Sequence, residues 1–407
     1  MIKAKKKKGR SLFRRIVEFL HLWLGLITGI VVFVVCFTAA IWVFRDEISY
    51  FTMPENRVEK QDKPYLVPSE LIKKGKEYLH AHQRDTSGIA VQFISYGKPG
   101  AAVTLEYKFP PEEYRYMLIN PYNGIINYEG DGETRTEKFF LFLRAGHRFF
   151  WLTREIGSPF VGSCCILFLI ILITGLIWWY PRKWNAATRR KSFTIKWNAS
   201  WKRVNIDLHN VLGFYAFLVA IILTITGVTF TFSWFNNGYH KVLTGKPYTG
   251  EEEQPLSDIS AAKIPAANMP EDQLWQQYAS FIKNGNDVVN IFYPDDSAAA
   301  WMINIVPVEG RIADIARFYH DQYSLKLLKK SDDYKSLSAG EKLYEMTFDI
   351  HVATIWGLPS KILASLSSLI CASLPVTGFI IWYNRKFGKK KKGRRLRLRN
   401  NDLNMSL

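Results

Sequence analysis

The sequence predicts an α-helical membrane bundle of four transmembrane helices, carrying two small α+β modules outside the membrane as a tandem parallel internal repeat. Three observations lead there: four long apolar runs, basic charge gathered in three short segments, and histidine-bearing motifs that recur at nearly constant offsets.

The apolar runs are Ile16–Phe44, Pro159–Tyr180, Val211–Trp234 and Ile362–Tyr383. Each reaches the ~20 residues that cross a bilayer at about 1.5 Å rise per residue. They define spans 16–44, 159–180, 206–234 and 358–383. The first is too long for a signal-peptide core and ends Phe44-Arg45-Asp46-Glu47 rather than in a small-residue cleavage site, so it is expected to be retained.

Charge orients these spans. Segments 1–15 and 181–203 hold eight Lys/Arg each, and 384–407 holds ten against a single acid, Asp402. Together they carry +25 of a chain whose net charge is +18, so the remainder nets −7. Short basic segments stay in the cytoplasm. Residues 1–15, 181–205 and 384–407 are therefore expected inside, and the loops between spans one and two and between three and four outside. The runs Lys3–Lys8 and Lys389–Arg399 flank spans, so they read as topology signals and anionic-lipid contacts, with no nucleic-acid partner. All four cysteines, Cys36, Cys164, Cys165 and Cys371, fall within spans, which leaves no disulfide framework for the outer loops. No Cys-x-x-Cys-His is present, which gives no support to covalent c-type haem attachment.

An offset of 188 carries His21, Gly25 and Thr38 onto His209, Gly213 and Thr226. An offset of 203 carries Thr174-Gly175 and Trp179-Tyr180 onto Thr377-Gly378 and Trp382-Tyr383, while His147 meets His351 with one residue of slippage. Both halves start inside, which makes the repeat parallel. Each outer loop has a helix and then four strand-like runs. In module 45–138 the helix runs from Pro68-Ser69-Glu70 to about His82, with Ser69 as N-cap. Strands follow at Ile89–Tyr96, Ala101–Phe109, Arg115–Asn120 and, after the turn Pro121-Tyr122-Asn123-Gly124, Ile125–Glu129. Module 235–340 repeats the order with a polar linker at 245–267, a helix at Pro270–Lys283 and strands at Val288–Tyr293, Ala299–Val306, Ile312–Tyr319 and Leu325–Leu328. The stretches 139–158 and 341–357 read as interfacial helices over the outer mouth of the bundle.

Ionisable residues at membrane depth are costly and point to function. His21 and His209 lie near the cytoplasmic leaflet, and His147 and His351 on the outer side. Equivalent residues of a parallel repeat face a common axis, so His21 pairs with His209 and His147 with His351. Two imidazoles from facing helices are the axial ligands an iron porphyrin takes in a four-helix bundle. Gly25 and Gly213, four residues beyond their histidines, either leave room for a flat macrocycle or permit close helix packing. Glu18 or backbone carbonyls are candidate acceptors for the second ring nitrogen, and Arg144, Arg148 and Arg154 are candidate partners for propionates. Trp178, Trp179 and Trp382 read as the interfacial aromatic belt. His80, His82, His240 and His320 stand apart from the pairs. No Gly-x-Gly-x-x-Gly or P-loop follows a strand, so the electron donor must come from outside the chain.

These residues carry a family resemblance. His21-Leu22-Trp23-Leu24-Gly25-Leu26, Gly146-His147-Arg148-Phe149-Phe150, Asp207-Leu208-His209 with Gly213, and Asp349-Ile350-His351 before Leu374-Pro375-Val376-Thr377-Gly378 resemble the PepSY-associated transmembrane family over about residues 12–386. Asn120-Pro121-Tyr122-Asn123-Gly124 resembles the end motif of PepSY modules, from which Asp321-Gln322-Tyr323-Ser324 departs. The resemblance implies a bacterial inner-membrane protein with PepSY-like modules in the periplasm. It implies two haem b groups held by the four histidines and reduction of ferric siderophores or other ferric chelates, with a quinol or a cytoplasmic reductase as donor. Two other readings stand beside it. In one the chain is a non-enzymatic periplasmic binder or regulator with a membrane anchor; in the other it is a metal transporter.

Overall fold

A computed structural model describes residues 11–132, 134–181, 183–250, 253–260, 269–283, 287–307, 311–331 and 333–388. The basic ends 1–10 and 389–407, Arg182 and residues 251–252 and 261–267 of the expected linker lie outside the described residues.

The chain opens with α1 (Leu12–Trp42) and the short α2 (Arg45–Thr52). After α3 (Pro68–Ala81) come strands β1 (Ala90–Tyr96), β2 (Val103–Phe109), β3 (Glu113–Ile119) and β4 (Ile126–Gly130). Helices α4 (Arg135–Phe149), α5 (Arg154–Trp179), α6 (Ala186–Phe193) and α7 (Trp201–Asp207) follow. A π-helical turn, Leu208–Leu212, joins α7 to α8 (Gly213–Thr229), and α9 (Ser233–Thr244) leaves the membrane run. Next are α10 (Pro270–Tyr278), α11 (Ser280–Lys283), β5 (Val288–Phe292), β6 (Trp301–Val306), β7 (Ala316–His320) and β8 (Leu327–Lys330). The chain closes with α12 (Ala339–Glu345), α13 (Thr347–His351) and α14 (Leu358–Lys386).

Among the described residues, four helical runs are long and apolar enough to cross a membrane: Leu12–Trp42, Arg154–Trp179, Trp201–Thr229 and Leu358–Lys386. All four start earlier than their apolar runs, the second and third by the most. In α5 the Gly157 N–H bonds Thr153 O at 2.7 Å, so the helix is already wound when it reaches Pro159. The third run starts at Trp201 because α7 is amphipathic: Val204, Asn205 and Asp207 are buried while Trp201 and Lys202 are exposed.

The chain forms two compact units. One comprises residues 1–37, 163–221 and 367–407, and the other residues 38–162 and 222–366. Within the first, Val32, Phe168, Leu172, Ala216, Ala220 and Cys371 make the packed centre. Two alanines and a cysteine there let helices come close, which is how apolar helices hold together where lipid offers no hydrophobic gain. Gly29 serves the same end, because a Cβ on it would stand 3.2 Å from Pro375 Cβ. All four cysteines are free thiols.

The second unit contains one antiparallel sheet of eight strands in the order β4-β3-β2-β1-β5-β6-β7-β8. Period-2 burial builds it: Val103, Leu105 and Tyr107 face inward on β2, and Trp301, Ile303 and Ile305 on β6. The two strand groups expected as separate modules are joined. β1 pairs with β5 through Phe93–Phe292, Ile94–Ile291, Ser95–Asn290 and Tyr96–Val289. Each four-stranded meander alone would expose β1 or β5 as an open edge, and pairing the two edges removes both. One core serves both groups, with Leu71, Ile94, Tyr96, Leu274, Ile291 and Ile303 all fully buried. Each such side chain contributes roughly 1.5–3 kcal/mol. Tyr96 stacks on Trp275 of α10 with ring centres 3.7 Å apart.

Ser69 is not the N-cap of α3. Val67 takes that place with Pro68 at the first helical position, and the Ser69 N–H instead donates to the Asp272 carboxylate of α10 at 2.9 Å. The departing end motif Asp321-Gln322-Tyr323-Ser324 keeps the turn of its counterpart. Gly124 N bonds Asn120 O at 2.9 Å, and Leu325 N bonds Asp321 O at 3.0 Å. Gly124 and Leu325 both take left-handed backbone, at φ 73° and 56°. The Asp321 carboxylate holds the second turn by accepting from the N–H groups of Asp258 (2.6 Å), Ser324 (2.8 Å) and Tyr323 (3.1 Å). Burial alone would raise this carboxyl, but the three N–H donors prevail and hold it below its usual range.

Asp321→Ala is expected to cost about 1–3 kcal/mol, because it strands three part-buried N–H donors. The folded-state pKa lies below the unfolded one. The contribution is therefore complete above about pH 4 and is lost as pH falls through the folded value. Thermal unfolding of the full-length protein, followed by tryptophan fluorescence from Trp275 and Trp301, should show the loss at pH 7 and a smaller difference from wild type in acid. Equal melting temperatures at pH 7 would contradict this role.

Candidate functional site

Each unit contains one pair of the four singled-out histidines. In the first unit, His21 on α1 faces His209 in the π-helical turn, with ring centres 6.2 Å apart and planes crossed at 84°. Single π turns are frequent at functional sites, where they reset the direction of a side chain within a helix. In the second unit, His147 on α4 faces His351 on α13 at 6.0 Å, with planes at 51°. All four rings are half-buried.

The ring nitrogens are not equivalent. His21 Nδ1 lies 3.1 Å from Ile171 O and 3.3 Å from Thr174 Oγ1. His351 Nδ1 lies 3.1 Å from Leu223 O and 3.0 Å from Thr226 Oγ1. A carbonyl oxygen only accepts, so Nδ1 carries the proton in both. His209 Nδ1 lies 2.9 Å from Thr377 Oγ1, whose hydroxyl already donates to Ser373 O and Leu374 O at 3.1 Å each. That hydroxyl is left to accept, and Nδ1 is again the donor. In these three rings the Nε2 lone pair is left available to accept a proton or to ligate, with the ring orientation set from behind. The acceptors are carbonyls and threonine hydroxyls of the neighbouring helix. Burial, aided by the nearby His147, lowers His351 to about 3 and keeps it neutral.

The first pair opens on a cavity of about 440 Å³, within the size range of small-molecule and cofactor sites. Gly25 and Gly213 line it, and no atom stands within 4 Å of where a Gly25 Cβ would be. Leu172, Phe217 and Val32 form apolar walls, while Lys191 and Arg385 put positive charge in the lining. Trp178, expected in the aromatic belt, also meets His21 edge-on at 5.5 Å and lies beneath the Arg385 guanidinium at 5.7 Å. Trp179 stacks on Phe214 at 3.9 Å and donates to Ser192 O, pinning α6 beside the cavity.

The second pair is braced by its turns. α4 ends in two left-handed residues, Phe150 and Trp151 at φ 53° and 58°. Trp151 stacks on Phe142 at 5.0 Å and donates to its carbonyl. Gly146 is required there, since a Cβ would meet the Trp151 ring at 2.4 Å. Arg148 is crowded by Arg144 and Arg154, and burial together with those two charges lowers its guanidinium. The three arginines therefore gather beside this pair as a cationic cluster suited to carboxylates.

Two buried aspartates, each two residues before a histidine, were not recognised as structural from sequence. Asp349 accepts from the N–H groups of Ile312 and Ala313, both at 2.9 Å, and so ties α13 to the β6–β7 loop. This holds residues 311–315 out of β7, which begins at Ala316 rather than at Ile312. Asp207 accepts from Arg203 at 2.7 Å and from the N–H of Lys196. The isolated histidines have structural partners: His320 is buried between Tyr278 Oη (2.7 Å) and Leu325 O (2.8 Å), and His240 Nδ1 bonds Lys246 O. His80 and His82 are exposed.

An iron porphyrin can be tested against these pairs. Two imidazoles opposite each other on one metal, with nitrogens at about 2.0–2.1 Å and ring centres roughly 1.1 Å behind them, stand about 6.3 Å apart. The observed 6.2 and 6.0 Å fit that spacing. Among the described residues no three His, Cys, Asp or Glu side chains are grouped for a metal ion.

Asp349→Ala should free the Ile312 and Ala313 amides at a cost of about 1–3 kcal/mol. Hydrogen exchange of the full-length protein should show faster exchange at 311–315 and in α13, with β2 and β6 unchanged. Unchanged exchange at Ile312 and Ala313 would refute the clamp.

Comparison with curated proteins gives no match. Residues 19–385, all but the two ends of the chain, match the PepSY-associated TM region, and with its four membrane-crossing helices the chain belongs to that family.

Proposed function

We propose that this chain is a di-haem b protein of the bacterial inner membrane that passes electrons across the bilayer to reduce ferric chelates, ferric siderophores among them, in the periplasm. The observation that carries the proposal is the pair of opposed imidazoles in each unit, at 6.2 and 6.0 Å. His21 with His209 would hold one haem and His147 with His351 the other. The sheet unit lies on the periplasmic side, the termini lie in the cytoplasm, and the two halves descend from one duplicated unit. The 188-residue offset and the concentration of basic residues in three segments support this arrangement.

A bis-imidazole haem supplies reversible one-electron transfer at constant coordination. The chain's own residues do the rest. Nδ1–H bonds to Ile171, Thr174, Thr226, Leu223 and Thr377 fix the tautomer and the aim of three of the rings. The walls around Gly25 and Gly213 shape a flat slot, and Lys191 and Arg385 offer cations to carboxylates there. Arg144, Arg148 and Arg154 do the same beside the second pair. No side chain is needed as an acid, base or nucleophile, because the cofactor carries the redox chemistry. Reduction releases the metal, since chelators with hard oxygen donors hold ferrous iron less tightly than ferric iron. The donor is a quinol or a cytoplasmic reductase.

Proteoliposomes containing the purified protein, an enclosed reductant and an external ferric hydroxamate test this reading. Ferrous iron, trapped by a colorimetric chelator outside, should accumulate with wild type and fall to the protein-free rate with His21→Ala or His351→Ala. Wild-type vesicles that retain both haems but reduce nothing would refute the activity. The crossed rings of the first pair and the less crossed rings of the second should also give two distinct low-spin ferric EPR signals.

A further inference from the structure

The same dipeptide meets an imidazole three times. Thr174-Gly175 on α5 stands at His21, Thr377-Gly378 on α14 at His209, and Thr226-Gly227 on α8 at His351. In each, the threonine hydroxyl donates back to carbonyls three and four residues earlier in its own helix. Its proton is thereby committed, and its oxygen is presented to Nδ1–H at 2.9–3.3 Å. The glycine then leaves the space into which the ring edge fits. A Cβ on Gly175 would stand 2.9 Å from His21 Cε1, one on Gly227 2.9 Å from His351 Cε1, and one on Gly378 3.3 Å from His209 Cε1. The nearest neighbours of these three would-be Cβ atoms are imidazole atoms, so each glycine leaves room for a ring edge.

We infer that Thr174-Gly175, Thr377-Gly378 and Thr226-Gly227 are positioning residues that fix the tautomer and plane of the ligand histidines and, through the Nδ1–H bond, tune the reduction potential of each centre. This rests on the di-haem reading. The physical basis is that an acceptor on Nδ1–H makes Nε2 a stronger donor and fixes which nitrogen is free to ligate. A stronger donor favours ferric over ferrous iron. Replacing the hydroxyl by a methyl of the same shape removes that bias while leaving the packing in place. Adding a methyl at the glycine pushes the ring off its axis, more at the 2.9 Å positions than at the 3.3 Å position.

The experiment compares full-length wild type with Thr377→Val, Thr377→Ser, Thr226→Val, Gly175→Ala and Gly378→Ala. Haem per chain, melting temperature and optical redox titration of both centres are measured on each. Thr377→Val should move one of the two potentials to a more positive value and leave the other in place, Thr226→Val should move the other one, and Thr377→Ser should restore the wild-type value. Gly175→Ala should weaken haem retention at one centre by ~10–100-fold, with a smaller effect for Gly378→Ala. Threonine variants that keep both haems at wild-type potentials, or a Gly175→Ala protein that retains haem like wild type, overturn the inference and leave the di-haem reading intact. A merely structural role predicts lower melting temperatures with unmoved potentials, which overturns it too. A haem-free wild-type protein overturns both.

Discussion

A polar group at membrane depth must find its partner within the protein, and three of the four paired histidines meet that demand through Nδ1. For His21, His209 and His351 the Nδ1–H is given to a carbonyl or a threonine on an adjoining helix, and the paired rings stand 6.2 and 6.0 Å apart, centre to centre. Several other features follow from that bond. The helix carrying the acceptor must come close, and glycines at 175, 227 and 378 allow it. The helix carrying His209 must turn the ring to meet its acceptor, and a π turn falls there.

The two units meet the same need with different means. In the first, the pair is set into helices whose packing relies on small residues, and the adjoining cavity has apolar walls with a few cations. In the second, the pair is carried by short helices that end in left-handed residues and are tied to the sheet's loops through Asp349. The eight-stranded sheet is thus more than an appendage. Its continuous core gives the β6–β7 loop a fixed base, and that loop holds α13.

Much of this was legible in the sequence because period and spacing are local signals. Apolar runs long enough to span a membrane, strands alternating at Val103, Leu105 and Tyr107, and histidines recurring at offsets near 188 and 204 can be read without knowing any long-range contact. What was hidden depends on partners far away in the chain. The joining of β1 to β5 pairs residues about 200 positions apart, and either strand looks the same from sequence whether it pairs with the other half or stays an edge. Ser69 has the composition of an N-cap, yet Pro68 takes the first helical position and Asp272 claims its N–H. Thr174 and Thr377 stood out as markers of repetition, but nothing local assigns their hydroxyls to imidazoles on another helix. The Asp-x-His spacing at 207–209 and 349–351 was the one available signal for the buried aspartates.

The central claim is that each pair of rings closes on a single iron porphyrin. Haem counted per polypeptide in the purified protein, together with the reduced-minus-oxidised spectrum, tests it most directly. The account requires two b-type, low-spin haems per chain in wild type and one in a His209→Ala protein, with the remaining spectrum intact. A colourless protein from haem-replete cells, or a His209→Ala protein that still folds and still carries two, would contradict it.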